Sequence, residues 1–302
     1  MSSVDYVHLD DQSIATGGTS LTGTAILEDR MDHILSLSCQ DLTIEEVQRY
    51  QNKLWIIGNI TNLYRLDPNI INELLSNNFF VKIEFDYNFC PYRGEIPHQK
   101  LANQLCKCPH DIILNPVISS TYDLIIKNAK HSFFMSERQR AIYSIHMPLM
   151  RFDKTSVLSS CFTKDAFDLL KTHALNYKNN QYAILEGYGG WHSQAKGVTE
   201  AKNFCVTNNI PYQILPNQSY DHHIETLSKF KGLVFMPIID DTCPRCVIEA
   251  KLLNLDVLTN INSQHTTEGW WNKSLEQIEI YLKNRPKHFW KIVDENCHTN
   301  AS

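Results

Sequence analysis

The stretch Phe235-Met-Pro-Ile-Ile-Asp-Asp-Thr-Cys-Pro-Arg-Cys-Val-Ile-Glu-Ala-Lys251 decides how the chain is read. Its apolar start reads as the end of a buried strand that stops at Pro237, because proline has no N–H to give a sheet. A polar loop follows, and a helix begins around Pro244, since proline is tolerated in a first helical turn. Asp241 then stands in the loop at the strand end. Glu249 lies eight residues further on, on the second helical turn and on the side facing a cleft. Two acceptor-only groups so placed can hold sugar hydroxyls and a ribose diol while the helix N-terminus faces a phosphate.

Outward from this stretch, short apolar runs alternate with helical patterns almost end to end. Tyr6–Leu9, His33–Leu37, Leu54–Ile57, Phe79–Phe85 and Ser132–Met135 read as buried strands of a first series. Asp67 caps a helix whose first residue is Pro68, and further helices bracket the last of these strands at Asp123–Ala129 and Glu137–Tyr143. A second series of strands begins at Val157-Leu158 and continues at Tyr182–Leu185, Tyr212–Leu215, Leu233–Met236 and Leu255–Leu258. Its helices fall at Lys164–Ala174, Ala195–Asn208, Asp221–Lys231 and Arg245–Leu253. Such alternation gives parallel sheets covered on both faces. The expected fold is therefore α/β, two Rossmann-like doubly wound domains facing across a cleft. Residues 1–147 and 148–275 form them, joined near His146–Arg151, where Pro148 interrupts any helix. The amphipathic pattern Leu275–Asp294, broken only at Pro286, makes 276–302 a returning helix and tail that packs back across the junction. There is no internal repeat and no low-complexity segment. Ligands of open parallel sheets gather at the C-terminal strand ends, so chemistry is sought in those loops.

The 302 residues carry a net charge of −5, with 28 basic against 33 acidic side chains. That balance disfavours a protein whose main task is gripping duplex DNA, where phosphate neutralisation supplies most of the affinity. A hydrophobic share of 43% excludes a disordered chain. The start MSSVDYVHLDD has no basic region and meets acids at once, and the apolar run Gly232–Ile238 is far too short to span a bilayer. A cytoplasmic location is expected. Nine cysteines, an odd number, read as thiols in a reducing compartment.

The strand–Pro–loop–helix stretch resembles the E-x7-E region of retaining glycosyltransferases of GT-B fold, family 4 in particular, and most of all its compact viral or phage-type members. Asp241 stands at the first acidic position, where the family has Glu, and Glu249-Ala250 at the second. The resemblance implies that Asp241 contacts the donor sugar and Glu249 the nucleotide ribose, with Thr242, Cys243 and Arg245 of the intervening loop and helix start lining the donor. Ile184-Leu-Glu-Gly-Tyr-Gly-Gly-Trp-His-Ser-Gln-Ala-Lys-Gly-Val198 is similar to the family's glycine-ended strand followed by Lys-Gly at a helix start. On that match Lys196 contacts the donor diphosphate, and Gly187 and Gly197 let the backbone approach it. The family's usual Arg after the first glycine is replaced by Tyr188, and His192 is the nearby candidate for its charge. Thr16-Gly-Gly-Thr-Ser20 looks like the family's glycine loop, which makes Gly17 and Gly18 donor-binding. Phe134-Met-Ser-Glu-Arg138 resembles the Ser-Glu after the last strand of the first domain, although Ser136 has a sufficient local reading as a helix cap.

What the resemblance implies is sugar transfer from a nucleoside-diphosphate-sugar to a hydroxyl acceptor with retained configuration. The acceptor is a saccharide first and modified DNA second. No Asp-x-Asp pair is evident, so no metal or other cofactor is expected in catalysis. Two other readings stay open. Cys243-Pro-Arg-Cys246, after a strand and before a helix, also fits a thioredoxin-like dithiol site. A binding module that keeps the nucleotide-sugar site without turnover fits as well. In the first half, Cys90, His98, Cys106, Cys108 and His110 crowd together. Four of them suffice for a small structural zinc site, while buried thiols and exposed loop histidines explain each singly. Asp86, Tyr87 and Arg93 beside them are candidates for the acceptor side or for a salt-bridged loop. As a cleft carboxylate, Glu249 is expected to be removable with little change in stability.

Overall fold

A computed structural model describes residues 4–11, 17–59, 66–108, 116–187 and 194–297. Contacts divide the chain into two compact units, 1–161 with 284–302, and 162–283.

Among the described residues, unit 1 carries six parallel strands: β1 (Tyr6–Asp10), β2 (Ile34–Ser38), β3 (Leu54–Ile57), β4 (Phe79–Glu84), β5 (His131–Phe134) and β6 (Thr155–Val157). Their order across the sheet is β2-β1-β3-β4-β5-β6. The run Leu54-Trp-Ile-Ile57 is buried at every position, as expected of a parallel strand covered on both faces. Helices α1 (Gly18–Leu27), α2 (Ile44–Arg49), α3 (Pro68–Asn77), α4 (Glu95–Ala102), α5 (Pro116–Asn128) and α6 (Glu137–His146) fill the connections. Local chemistry starts several of them. Thr43 and Glu46 form a reciprocal capping box on α2. The Asp67 carboxylate accepts from Asn69 N–H at 2.8 Å ahead of Pro68 on α3. Ser136 Oγ accepts from Gln139 N–H at 2.9 Å on α6, the plain cap its local sequence implies.

Among the described residues, unit 2 has four parallel strands, β7 (Tyr182–Leu185), β8 (Tyr212–Leu215), β9 (Gly232–Phe235) and β10 (Asp256–Thr259), in the order β10-β9-β7-β8. Around them run α7 (Lys164–His173), α8 (Val198–Thr207), α9 (Tyr220–Leu227), α10 (Arg245–Leu252) and α11 (Leu275–Lys283). Helix α12 (Arg285–Cys297) follows with Pro286 in its first turn, so the proline restarts a helix rather than kinking one.

Two sequence expectations change. Residues at Val157 do not open the second sheet, because Phe134 and Val157 pair in parallel and place β6 at the edge of the first. The division into units accordingly falls after Cys161 rather than near Pro148, which only follows the end of α6. Helix α12 belongs to unit 1. Trp290 Nε1 donates to the Ile26 carbonyl at 2.7 Å, and Phe289 packs on Phe133 with ring centroids 4.7 Å apart. The Arg30 guanidinium grips Asp294 through bonds of 2.8 and 2.6 Å and lies 4.2 Å from the Trp290 ring.

Candidate active site

The loop after β9 is held by backbone bonds before any side chain acts. Asp241 N–H donates to the Asn262 carbonyl at 2.8 Å, and the Asp241 carbonyl accepts from Gln264 N–H at 3.1 Å. These bonds fix Asp241 at the C-terminal edge of the sheet, nine-tenths buried. One carboxylate oxygen accepts from Cys243 N–H at 3.3 Å, and the other lies 2.6 Å from Lys196 Nζ. The lysine side chain keeps 36% of its surface exposed, so the ion pair is open to solvent from the lysine side.

Gly197 brings the lysine there. Its backbone is left-handed, with φ +70°, and a Cβ built on it would stand 1.6 Å from the Met236 carbonyl oxygen. Only glycine lets the start of α8 touch the end of β9 this closely. The Ile238 N–H donates to the Ala195 carbonyl at 3.1 Å, tying the two segments beside that contact. The result is two strand-end loops whose opposite charges meet at the N-terminal end of α8, where free N–H groups favour an anion.

Glu249 is deeper than its sequence reading expects. It is 3% exposed, and its Oε1 accepts from Arg245 Nε at 2.8 Å, one turn earlier on α10. Arg245, equally buried, lies 3.9 Å from the Phe162 ring and 5.6 Å from that of Tyr220, whose hydroxyl is 3.4 Å from Nη2. Burial, and then the nearby Glu249 charge, push the Tyr220 hydroxyl well above its ordinary range. Removing Glu249 would take its carboxylate partner from a buried guanidinium, which runs against the expectation of unchanged stability. Arg245 likewise faces into this buried pair.

Gly187, just past the end of β7, has φ +74°, and its carbonyl accepts from Asn217 Nδ2 at 2.6 Å. Thr242 is buried, while Cys243 and Cys246 are half-buried and not joined in a disulfide. Burial raises the Cys246 thiol above its ordinary range. The Cys-Pro-Arg-Cys turn follows the third strand of an all-parallel sheet, β7, β8 and β9 preceding it. Gly17 and Gly18 open α1 in unit 1. Gly17 has an ordinary φ of −87°, no side-chain cap, and nothing within 4 Å of an added Cβ. Thr16, Tyr188, His192 and His110 lie outside the described residues.

Sequence reading passed over a buried polar group in unit 1. Lys82 and Glu84 point to the same side of β4, 3.3 Å apart and almost unexposed. Lys82 Nζ also donates to the Gly58 carbonyl at 2.8 Å, and Tyr143 Oη donates to Glu84 at 2.7 Å. Burial still pushes the Glu84 carboxyl up, with Lys82 the largest opposing influence. Two opposite charges two residues apart inside an otherwise apolar strand were the available signal. At the end of β1, burial raises Asp10 to about 6 and lowers His8 to about 4. Elsewhere in unit 1 Cys90, His98, Cys106 and Cys108 converge, their ligand atoms all within 4.8 Å of one another. Asp86 and Arg93 form a partly exposed pair at 3.7 Å, and Tyr87 is buried against Tyr143. Among the described residues no helix is long and apolar enough to cross a membrane.

Two doubly wound parallel sheets in one chain, with the polar loops of the second at its C-terminal edge, give a fold shared with solved glycosyltransferases of GT-B type. Anabaena HepE in complex with UDP and glucose is similar over 97% of this chain and 91% of its own, with a TM-score of 0.54 at 11% identity. An alpha-glucosyltransferase in complex with UDP and a 13-mer DNA containing a central A:G mismatch is similar over 96% and 94%, at 0.50 and 8%. WaaG, a glycosyltransferase involved in lipopolysaccharide biosynthesis, is similar over 98% and 96%, at 0.50 and 11%. At these identities the likeness is one of fold. No protein-family model matches the chain, and no curated protein matches it.

Proposed function

We propose that the protein is a glycosyltransferase that moves a hexose from a nucleoside diphosphate to a hydroxyl acceptor, with retention, and that unit 2 binds the donor. The observation that carries this reading is the Lys196–Asp241 pair, 2.6 Å long and open on one side, at the N-terminal end of α8. A donor diphosphate takes the ammonium and the helix N–H groups. Asp241, released from the lysine, accepts from sugar hydroxyls. Charge developing on the departing diphosphate is then stabilised by groups already in place. Retention and the ribose contact of Glu249 rest on the family-4 resemblance. A uridine donor is the first choice, because UDP and UDP-glucose occupy HepE. The missing Asp-x-Asp pair and the placement of Lys196 support turnover without a divalent ion.

The acceptor falls to unit 1 in this scheme. A saccharide is the first choice. The dithiol reading draws no support from an all-parallel sheet with three strands ahead of the Cys-Pro-Arg-Cys turn. The deciding experiment is calorimetry of UDP-, GDP- and ADP-sugars, followed by donor hydrolysis and transfer assays with and without EDTA. Binding and turnover of one donor class in EDTA is the expected result. Binding with neither hydrolysis nor transfer to any acceptor tried means a sugar-nucleotide binding module. Activity lost in EDTA and restored by manganese overturns the metal-free mechanism.

A further inference from the structure

The geometry points to a structural zinc site in unit 1, formed by Cys90, His98, Cys106 and Cys108, that staples the chain from Cys90 to Cys108. Cys90 Sγ lies 3.3 Å from His98 Nδ1, Cys108 Sγ lies 3.6 Å from the same nitrogen, and Cys106 Sγ lies 3.8 Å from Cys90 Sγ. Zinc bonds of about 2.3 Å to sulfur and about 2.0 Å to nitrogen, set tetrahedrally, place neighbouring sulfurs ~3.8 Å apart and sulfur and nitrogen ~3.6 Å apart. The three spacings come within about 0.3 Å of these edges, and all four ligand atoms lie within 4.8 Å of one another, close enough for one ion to draw them in. A disulfide between Cys90 and Cys106 would need sulfurs about 2.05 Å apart. An iron–sulfur cluster, in which thiolates bind different irons, would spread its ligands more widely.

The backbone explains how four separated residues meet. Arg93 N–H donates to the Cys90 carbonyl at 2.9 Å, and Arg93 and Gly94 both have positive φ, 61° and 131°. This turn sends the chain back along itself, so that His98 on α4 faces Cys90. Asn103, left-handed at φ 53°, ends α4 and returns the chain toward Cys106 and Cys108.

Burial favours the metal over four unrelated side chains. His98 is fully buried and Cys90 and Cys108 nearly so, with Cys106 the most accessible of the four. Three thiols and one imidazole are the soft, borderline donor set that selects zinc. Binding releases the thiol protons and leaves a site of net charge −1. Outer contacts hold the ligands. The Gln104 amide nitrogen lies 3.4 Å from His98 Nε2, and turning the amide over brings its oxygen there to accept the Nε2 proton once Nδ1 is a ligand. His146 Nδ1 is 2.7 Å from the Cys108 carbonyl, and its Nε2 is 2.7 Å from Glu95. The site has no part in the donor chemistry proposed above. It fixes a loop at the C-terminal end of β4.

The test uses the full chain, purified untagged without a metal column. Elemental analysis should find about one zinc per chain, and stripping with a chelator should lower the melting temperature. Cobalt(II) added to the stripped protein should give the intense visible and near-ultraviolet bands of a tetrahedral thiolate site. Cys106→Ser, at the most accessible ligand, should weaken metal retention more than tenfold, because a direct ligand matters more than the outer contacts that cost tenfold to hundredfold. Cys205→Ala, in unit 2, should keep the full metal content. Stripped protein that melts unchanged and gives only weak octahedral cobalt bands overturns the inference. So does a Cys90–Cys106 disulfide in mass spectra, or unchanged retention in folded Cys106→Ser.

Discussion

Lys196 Nζ and Asp241 Oδ2 meet at 2.6 Å although the two residues stand 45 positions apart. Gly197 makes the meeting possible, since any side chain there would occupy the Met236 carbonyl. The lysine is partly solvated and the aspartate is not. The cation is therefore the member that a ligand can recruit.

Lys196→Ala should weaken UDP binding by roughly tenfold to hundredfold, the loss of about 1.5–3 kcal/mol for a charge-assisted contact. Uridine, which has no phosphate, should bind both proteins equally. Calorimetry with the two ligands checks this. Equal weakening for both ligands would assign Lys196 to the fold rather than to the diphosphate.

Glu249→Ala should cost about 1.5–3 kcal/mol of stability, because it takes a charge-assisted hydrogen bond from the buried Arg245 guanidinium. The double variant Arg245→Met with Glu249→Leu removes both charges at similar volume and should melt near the wild type. If Glu249 also holds the donor ribose, that stable double variant binds UDP roughly tenfold or more weakly. Wild-type affinity in the double variant would leave Glu249 a purely structural residue.

Gly197→Ala should destabilise unit 2 by more than the ~1–3 kcal/mol that a left-handed backbone costs a non-glycine residue. The added Cβ also displaces the start of α8 from the end of β9. Donor affinity should fall with it, because Lys196 moves. Chemical denaturation and calorimetry on the same variant read both effects. A melting curve matching the wild type would contradict the close approach.

Asp10 provides a pH signature. Burial raises its folded-state carboxyl to about 6, while Asp11 N–H and Lys82 pull the other way and His8 Nε2 lies 4.0 Å from it. Between about pH 4 and 6 the folded state keeps a proton that the unfolded chain has lost, so this group's contribution to stability falls as pH rises. Asp10→Asn, which cannot ionise but still accepts from Asp11, should gain up to ~3 kcal/mol over the wild type above pH 7. The advantage should shrink toward pH 4, where Asp10 is protonated in the folded state and partly so in the unfolded chain. An offset independent of pH in denaturation curves from pH 4 to 8 would contradict a buried, raised Asp10.

The sequence by itself determined the alternation of strands and helices, the helix starts at Asp67 and Ser136, and the strand–loop–helix stretch from Phe235 to Lys251. Periodicity, caps and prolines act between near neighbours, so they are legible without a fold. It also carried the Lys196 and Asp241 positions, as residues at strand ends. Their contact was not legible, because it depends on a glycine in one loop meeting a carbonyl at the end of another strand. The depth of Glu249 was decided by Phe162 and Tyr220, which come from other elements and enclose Arg245. Strand β6 reads equally well as the first strand of a second sheet, and only its pairing with β5 settles its place. The crowding of Cys90, His98, Cys106 and Cys108 was visible in the chain. Their convergence to within 4.8 Å was decided by the turns at Arg93–Gly94 and Asn103, because ligand geometry is a property of backbone direction and not of spacing.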